Sequence, residues 1–251
     1  MDAPHLQPRE RIDLAAAYRL VAHFGLDDSI FTHISARAPA DEGDHAFLIN
    51  PFGLRFDEVT AENLVTVALD GTILRDTYGA GINQAGFTIH SAVHAGRPDV
   101  DCVAHTHTVA GVAVATMKDG ILPLNQWSLQ FHNRVATHAY EGLALDLAER
   151  ERLVADLGEH TAMILKNHGL LTCGTSVGEA FTTMYNMERA CRAQVAILSS
   201  GAEIEPVAGQ IAEHTARQIE KGRARRRESG TDPEWAAYLR LALKHYPDLV
   251  G

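Results

Sequence analysis

The sequence has no apolar run approaching the roughly 18 residues from which a membrane-spanning helix is read, so no membrane span is expected. Cysteine is scarce. Cys102, Cys173 and Cys191 are odd in number and widely spaced, which fits a reduced, cytoplasmic setting better than a disulfide framework. The opening MDAPHLQPRERIDL lacks the apolar core of a signal peptide. Basic residues are in deficit: 22 Lys and Arg against 32 Asp and Glu give a formal charge of −10. Such a surface repels phosphate backbones, so no nucleic-acid partner is expected. No repeat, low-complexity block or Gly/Ser linker divides the 251 residues. One domain over 1–251 is expected, with a helical extension from about residue 206.

What is present reads as strands interleaved with helices, an α/β layered pattern. Residues 8–24 form a first helix, with Pro8 in its first turn and Gly25 ending it. HAFLINP (45–51) reads as a strand running into a turn. LVTVALDGTIL (64–74) reads as a hairpin closed by the two-residue turn Asp70-Gly71. Residues 84–95 are helical and stop at Gly96 and Pro98. VDCVAHTH is a strand, VAGVAVATM an Ala-rich buried helix, and RVATHAY and TAMILKN are further strands. Ser176 with Glu179 forms a capping box opening a long helix to about Ser199. Helices follow near 206–227 and 233–245; the basic run at 217–228 reads as a solvated helix face or a subunit contact.

Three of the fourteen histidines sit in two short stretches, DCVAHTHT (101–108) and KNHG (166–169). His105 and His107, two apart on one strand, point the same way and can lean onto one ion. His168 ends another apolar strand, where Gly169 allows a sharp turn and a close approach. Three imidazoles plus solvent make a metal site open to substrate. By spacing alone, HxH also suits two surface histidines, or one buried and hydrogen-bonded. His90 and His94 share a helix face, but Ser91 stands where a zinc protease has Glu, which favours a structural or supporting role. GAGINQAG (79–86) is no phosphate-binding fingerprint and marks a turn before a helix. Arg37, Arg55 and Arg134 could each meet a carboxylate or serve the surface or an interface.

FTHISAR (31–37), LINPFGLRFDEVTAENLVTVALDG (48–71), GINQAGFTIHSAVHAGRPDVDCVAHTHT (81–108), HAYEG (138–142) and KNHG (166–169) together resemble the class II aldolase/adducin family, in family order over roughly residues 9–200. The resemblance implies a three-layer α/β/α domain with a central, largely antiparallel sheet. It implies homotetramers with active sites between subunits. It also implies one divalent metal per chain, zinc foremost with Mn, Fe or Co as other choices, held by His105, His107 and His168.

The departures from the family pattern redirect the chemistry. The family's sugar-phosphate aldolases carry Pro-Ser-Ser-Glu where this chain has Asn83-Gln84-Ala85-Gly86, so Gly86 replaces their acid/base Glu. Their Gly-Asn-x-Ser loop falls on Thr32-His33-Ile34-Ser35, and their Thr-Pro-Ser-Gly loop on Asn50-Pro51-Phe52-Gly53. The phosphate cradle is rewritten, and the NQAG version resembles the adducin-like and decarboxylase branches. Aldol cleavage needs an acid and a base that Gly86 cannot supply. Decarboxylation needs an electron sink and a returning proton. The expectation is therefore a metal-dependent carbon–carbon lyase on a small, non-phosphorylated hydroxy- or keto-carboxylate, such as a hydroxylated (hetero)aromatic acid. His33, His138 and Tyr140 are its candidate catalytic residues, His33 because it exchanges a proton near neutral pH in an ordinary setting. Asn50, Gly53 and Gln84 are its candidate substrate contacts. An aldolase with a substitute acid/base and a non-catalytic adducin-like scaffold are the alternatives. An iron-dependent oxygenase ranks below them, because three histidines lack the carboxylate of the usual facial triad.

Overall fold

The computed structural model describes residues 7–43, 45–142 and 148–251. Helix α1 spans Arg9–His23, strands β1 to β4 span His33–Arg37, Ala46–Ile49, Val65–Ala68 and Ile73–Arg75, and α2 spans Gln84–Gly96. Strand β5 (Cys102–Thr106), α3 (Val109–Thr116), α4 (Gln126–Leu129), β6 (Ala136–His138) and α5 (Glu149–Leu157) follow. The chain continues through β7 (Ala162–Leu165), β8 (Gly169–Gly174), α6 (Val177–Ser199), α7 (Gly209–Ser229) and α8 (Pro233–His245).

All eight strands form one sheet in the order β4-β3-β2-β1-β5-β8-β7-β6. Every neighbouring pair is antiparallel except β6 and β7. Strand alternation sorts the side chains onto the two faces of the sheet, and Phe47, Ile49, Val65, Val67 and Phe87 form a further cluster. Ile34 and Ala36 of β1, Cys102 and Ala104 of β5, and Leu170 of β8 join α1 and α6 on one face. Val103 of β5 and Leu171 and Cys173 of β8 face the other way, onto Ile89 and Val93 of α2 and Leu153 and Leu157 of α5. Helices thus cover both faces of a largely antiparallel sheet, a three-layer α/β/α arrangement. Among the described residues no helix is long and apolar enough to cross a membrane, and all three cysteines are free and buried.

Several expectations change in detail. Pro8 caps α1 from outside and is not part of its first turn. The 64–74 hairpin forms, but Ala68 N bonds Thr72 O, so the connection is wider than Asp70-Gly71 alone, and the register shifts at Thr66/Val67. Helix α3 is only half buried: Gly111, Val114 and Ala115 face inward while Val109 is 90% exposed. Ser176 does cap α6, its hydroxyl accepting from Glu179 N at 3.1 Å, while Glu179 turns its carboxylate to Thr175 N, one residue before the cap.

Candidate metal centre

The site lies where β5 and β8 meet. His105 is the penultimate residue of β5, and His107 follows the strand's end. Thr106 between them turns to the opposite face, its hydroxyl on the Met184 sulfur at 3.2 Å, as strand alternation requires. Strand β8 runs back beside β5, pairing Leu171 with His105 and Leu170 with Thr106. The connection from β7 turns through Asn167, whose φ is +56°, and sets His168 against the pair. The left-handed step therefore belongs to Asn167. Gly169 supplies the close approach, since a Cβ there would lie 2.4 Å from the Thr106 carbonyl oxygen.

The three rings form a triangle with centroid separations of 4.6, 4.8 and 4.7 Å. One ring nitrogen from each can be chosen so that all lie within 4.8 Å of one another. The outer nitrogens decide the tautomers. His105 Nδ1 donates to the Leu170 carbonyl at 2.9 Å, and His107 Nδ1 donates to Asp28 Oδ2 at 3.0 Å. Carbonyl and carboxylate oxygens only accept, so each Nδ1 carries the proton and each Nε2 presents a lone pair. Those two Nε2 atoms face each other at 2.8 Å. Two lone pairs so placed repel unless a cation or a shared proton lies between them. The shared proton is disfavoured: burial, then His168 and His107, push His105 well below the ordinary histidine range. Burial, then His107 and His138, push His168 down to about 4. Neutral imidazoles with carbonyl- or carboxylate-bound outer nitrogens are what a divalent cation takes as ligands. The residues fit a metal.

The other candidate residues divide. His33, directly across from His105 in the β1–β5 register, is buried beside the trio. Both its ring nitrogens lack a hydrogen-bond partner among the described residues. Burial, then His107, push it down to about 3, so its proton exchange does not fall near neutral pH as its residue type suggested. Its ring occupies the space above Gly86, where an added Cβ would lie 2.4 Å from Nδ1. The two departures from the aldolase pattern are thus one feature: the imidazole of position 33 fills the room vacated at position 86.

Tyr140 is half exposed, with its ring 6.4 Å from that of His168. His138 is buried and shares with Tyr140 and His168 the wall of a small cavity, its Nδ1 held by Asp156 at 2.7 Å. Asn50 is turned into the core, its Oδ1 2.9 Å from the Tyr18 hydroxyl, and so is engaged away from solvent. Gly53, φ +90°, is exposed on a loop, and Gln84 is exposed at the first position of α2; Phe52 N donating to Gly81 O at 2.9 Å ties the two segments together. His90 and His94 are structural, their rings meeting on the Ser35 hydroxyl at 2.6 and 2.8 Å. Arg37 holds the His94 and Val100 carbonyls, Arg55 pairs with Asp27 and Asp57, and Arg134 pairs with Glu213 and Glu220. Sequence reasoning missed Asp28, the Leu170 carbonyl and Asp156. No motif marks them, because their roles come from where the chain folds.

Residues 12–195 match the family model described as the class II aldolase and adducin N-terminal domain. A Pseudomonas aeruginosa protein provisionally named a class 2 aldolase is 51% identical over 94% of this chain and 90% of its own length. The crystal structure of an aldolase II superfamily protein from Pseudomonas syringae superposes with a TM-score of 0.86 at 47% identity, covering 97% of this chain and 95% of that one. Rat alpha-adducin is 42% identical over 90% of this chain, which spans 31% of the adducin.

Proposed function

The chain belongs to the class II aldolase and adducin family, and from that premise we propose that it is a metal-dependent carbon–carbon lyase. Its substrate is a small, non-phosphorylated hydroxy- or keto-carboxylate, and its reaction is decarboxylation, with a hydroxylated aromatic or heteroaromatic acid as the fitting substrate form. The observation that carries this reading is the pairing at positions 33 and 86. No carboxylate stands at 86, and a neutral imidazole fills its place.

His105, His107 and His168 hold one divalent cation, zinc being the first choice for three imidazoles. When bound, the cation supplies the electron sink, stabilising negative charge that develops on a substrate oxygen. Asp28 and the Leu170 carbonyl fix the rings of His107 and His105 so that Nε2 points inward. Loss of carbon dioxide leaves the bonding pair on the substrate carbon, and a proton must return there. Tyr140 offers a hydroxyl at the open side, beside His168. His138, clamped by Asp156, backs that side, and neutral His33 fills the buried space between His105 and Gly86. Gln84 and Gly53 flank the entrance and contact the substrate. The proposed assembly, carried over from the family resemblance, is a homotetramer with sites between subunits.

The test is a screen of metal-loaded protein against hydroxy- and keto-acids, scoring carbon dioxide and aldehyde separately. Carbon dioxide without aldehyde supports decarboxylation. Aldehyde with pyruvate would support an aldolase using a substitute acid/base instead. The match to alpha-adducin favours a second reading, a scaffold without catalysis. A chain that retains no metal and turns over no acid would support it.

A further inference from the structure

Away from the histidines, a cavity of about 780 Å³ opens between the start of α6, the end of α7, α8 and the first turn of α1. Strand β8 separates the two places: Gly169 borders the histidines, and Gly174 leads into Thr175 and Ser176 at the cavity. At roughly 3.3 Å per residue its length sets them on the order of 20 Å apart. Five arginines line the cavity, Arg9, Arg223, Arg226, Arg227 and Arg240, against the carboxylates of Glu179 and Asp232.

The internal pairings do not neutralise it. Arg9 is taken by Asp13 at 2.8 Å, and Arg227 by Glu179. Asp232 is spent capping α8, accepting from Glu234 N and Trp235 N at 3.0 Å. Arg223 donates to Gln130 Oε1 at 2.8 Å, a neutral acceptor. The guanidinium groups of Arg226 and Arg240 have no hydrogen bond or ion pair among the described residues. Arg223 is pushed below the ordinary arginine range by burial first, with Arg226 and Arg227 repelling it and Glu179 and Glu234 opposing the shift. Three arginines that pair with no carboxylate, Arg223, Arg226 and Arg240, therefore line one cavity, in a chain whose net charge is −10.

We propose that this cavity binds a small phosphate-bearing anion of two or more negative charges, a polyphosphate group carried free or on a nucleotide. A monocarboxylate would neutralise only one of the three. Guanidinium forks match phosphate oxygens two at a time, and the volume lies within the range of small-molecule sites, about 300–1,000 Å³. The site is independent of the lyase chemistry.

The experiment is calorimetric titration of the full chain carrying His105→Ala, so that no ligand can be held through the metal centre. The probes are inorganic tripolyphosphate, ATP and citrate at low salt. One tripolyphosphate per chain is expected, weakened by salt. Arg226→Gln and Arg240→Gln should each weaken it about tenfold or more, since a charged hydrogen bond contributes on that scale. Neither side chain has a structural partner, so both variants should keep the parent melting temperature. Tighter binding of ATP than of tripolyphosphate would assign the nucleotide form, and equal binding the free form. Citrate binding as tightly as tripolyphosphate would overturn the phosphate assignment. No heat with any probe, or binding that both variants leave unchanged, would overturn the site.

Discussion

Gly86→Ala isolates the relation between positions 33 and 86. Gly86 sits in the first turn of α2, its N–H accepted by the Asn83 side chain at 3.3 Å. In an open helix this change would stabilise by about 1 kcal/mol. Here the new methyl would lie 2.4, 2.5 and 2.8 Å from Nδ1, Cε1 and Cγ of His33, well inside contact distance. His33 is only 5% exposed, hemmed by His105 across the strand pair and His90 on α2, so its ring has little room to retreat. Overpacking of this kind costs about 1–3 kcal/mol. The clash should match or outweigh the helix gain, leaving a net loss of up to about 2 kcal/mol and a melting temperature lower by up to about 8 °C for a chain of this size. With His33→Ala in the background, Gly86→Ala should become stabilising, a coupling of about 2 kcal/mol in a urea double-mutant cycle. Gly86→Glu should be tolerated only together with His33→Asn, which rebuilds the arrangement of the family's sugar-phosphate aldolases. A stabilising Gly86→Ala on its own, or a cycle with no coupling, would refute the idea that the imidazole fills the vacated space.

Asp28→Asn leaves the fold intact but loosens the orientation of His107. Metal affinity, read by competition with a chromophoric chelator, should fall about 10–100-fold; unchanged affinity would mean that the contact is incidental. Gly169→Ala places a methyl 2.4 Å from the Thr106 carbonyl, so the β5–β8 pairing must open and carry His105 and His168 apart. Metal content and melting temperature should fall together, and a fully metal-loaded variant would contradict this geometry. His94 and His90 are buried neutral, His94 pushed down to about 3 and His90 well below the ordinary range, both by burial first. An unfolded chain binds their protons near pH 6.5, whereas the folded one does not until far lower. The stability they protect is therefore full above pH 6.5 and lost as pH falls below it, for His94 by about 1.4 kcal/mol per pH unit down to about 3. A melting temperature flat between pH 7 and 5 in metal-free protein would count against this burial.

Helices α6 and α8 were legible because they bury one face, and Ser176 caps α6 where its residue type suggested; α2, buried all round from Gly86 to His94, was legible from its stop at Gly96 and Pro98. Strand β1 was not read as a strand, because FTHISAR interleaves polar residues that serve a buried layer of histidines beneath α2. Strand β8 was missed because GLLTCG follows TAMILKN after a tight reversal at Asn167, which only a left-handed φ reveals. That pairing of β7 and β8 is what brings His168 to the end of β5. The ligand residues themselves were readable from two short motifs. Their orienting partners were not, since Asp28 lies 79 positions from His107 and the Leu170 group is a backbone carbonyl.

The central claim is that His105, His107 and His168 form one metal centre. Metal analysis of tag-free protein, beside His105→Ala, His107→Ala and His168→Ala, tests it most directly. The account predicts about one tightly held divalent ion per chain, lost in each of the three variants while the fold persists. A parent chain that holds no metal after exposure to Zn, Mn, Co and Fe(II), or a single variant that keeps its full complement, would contradict it.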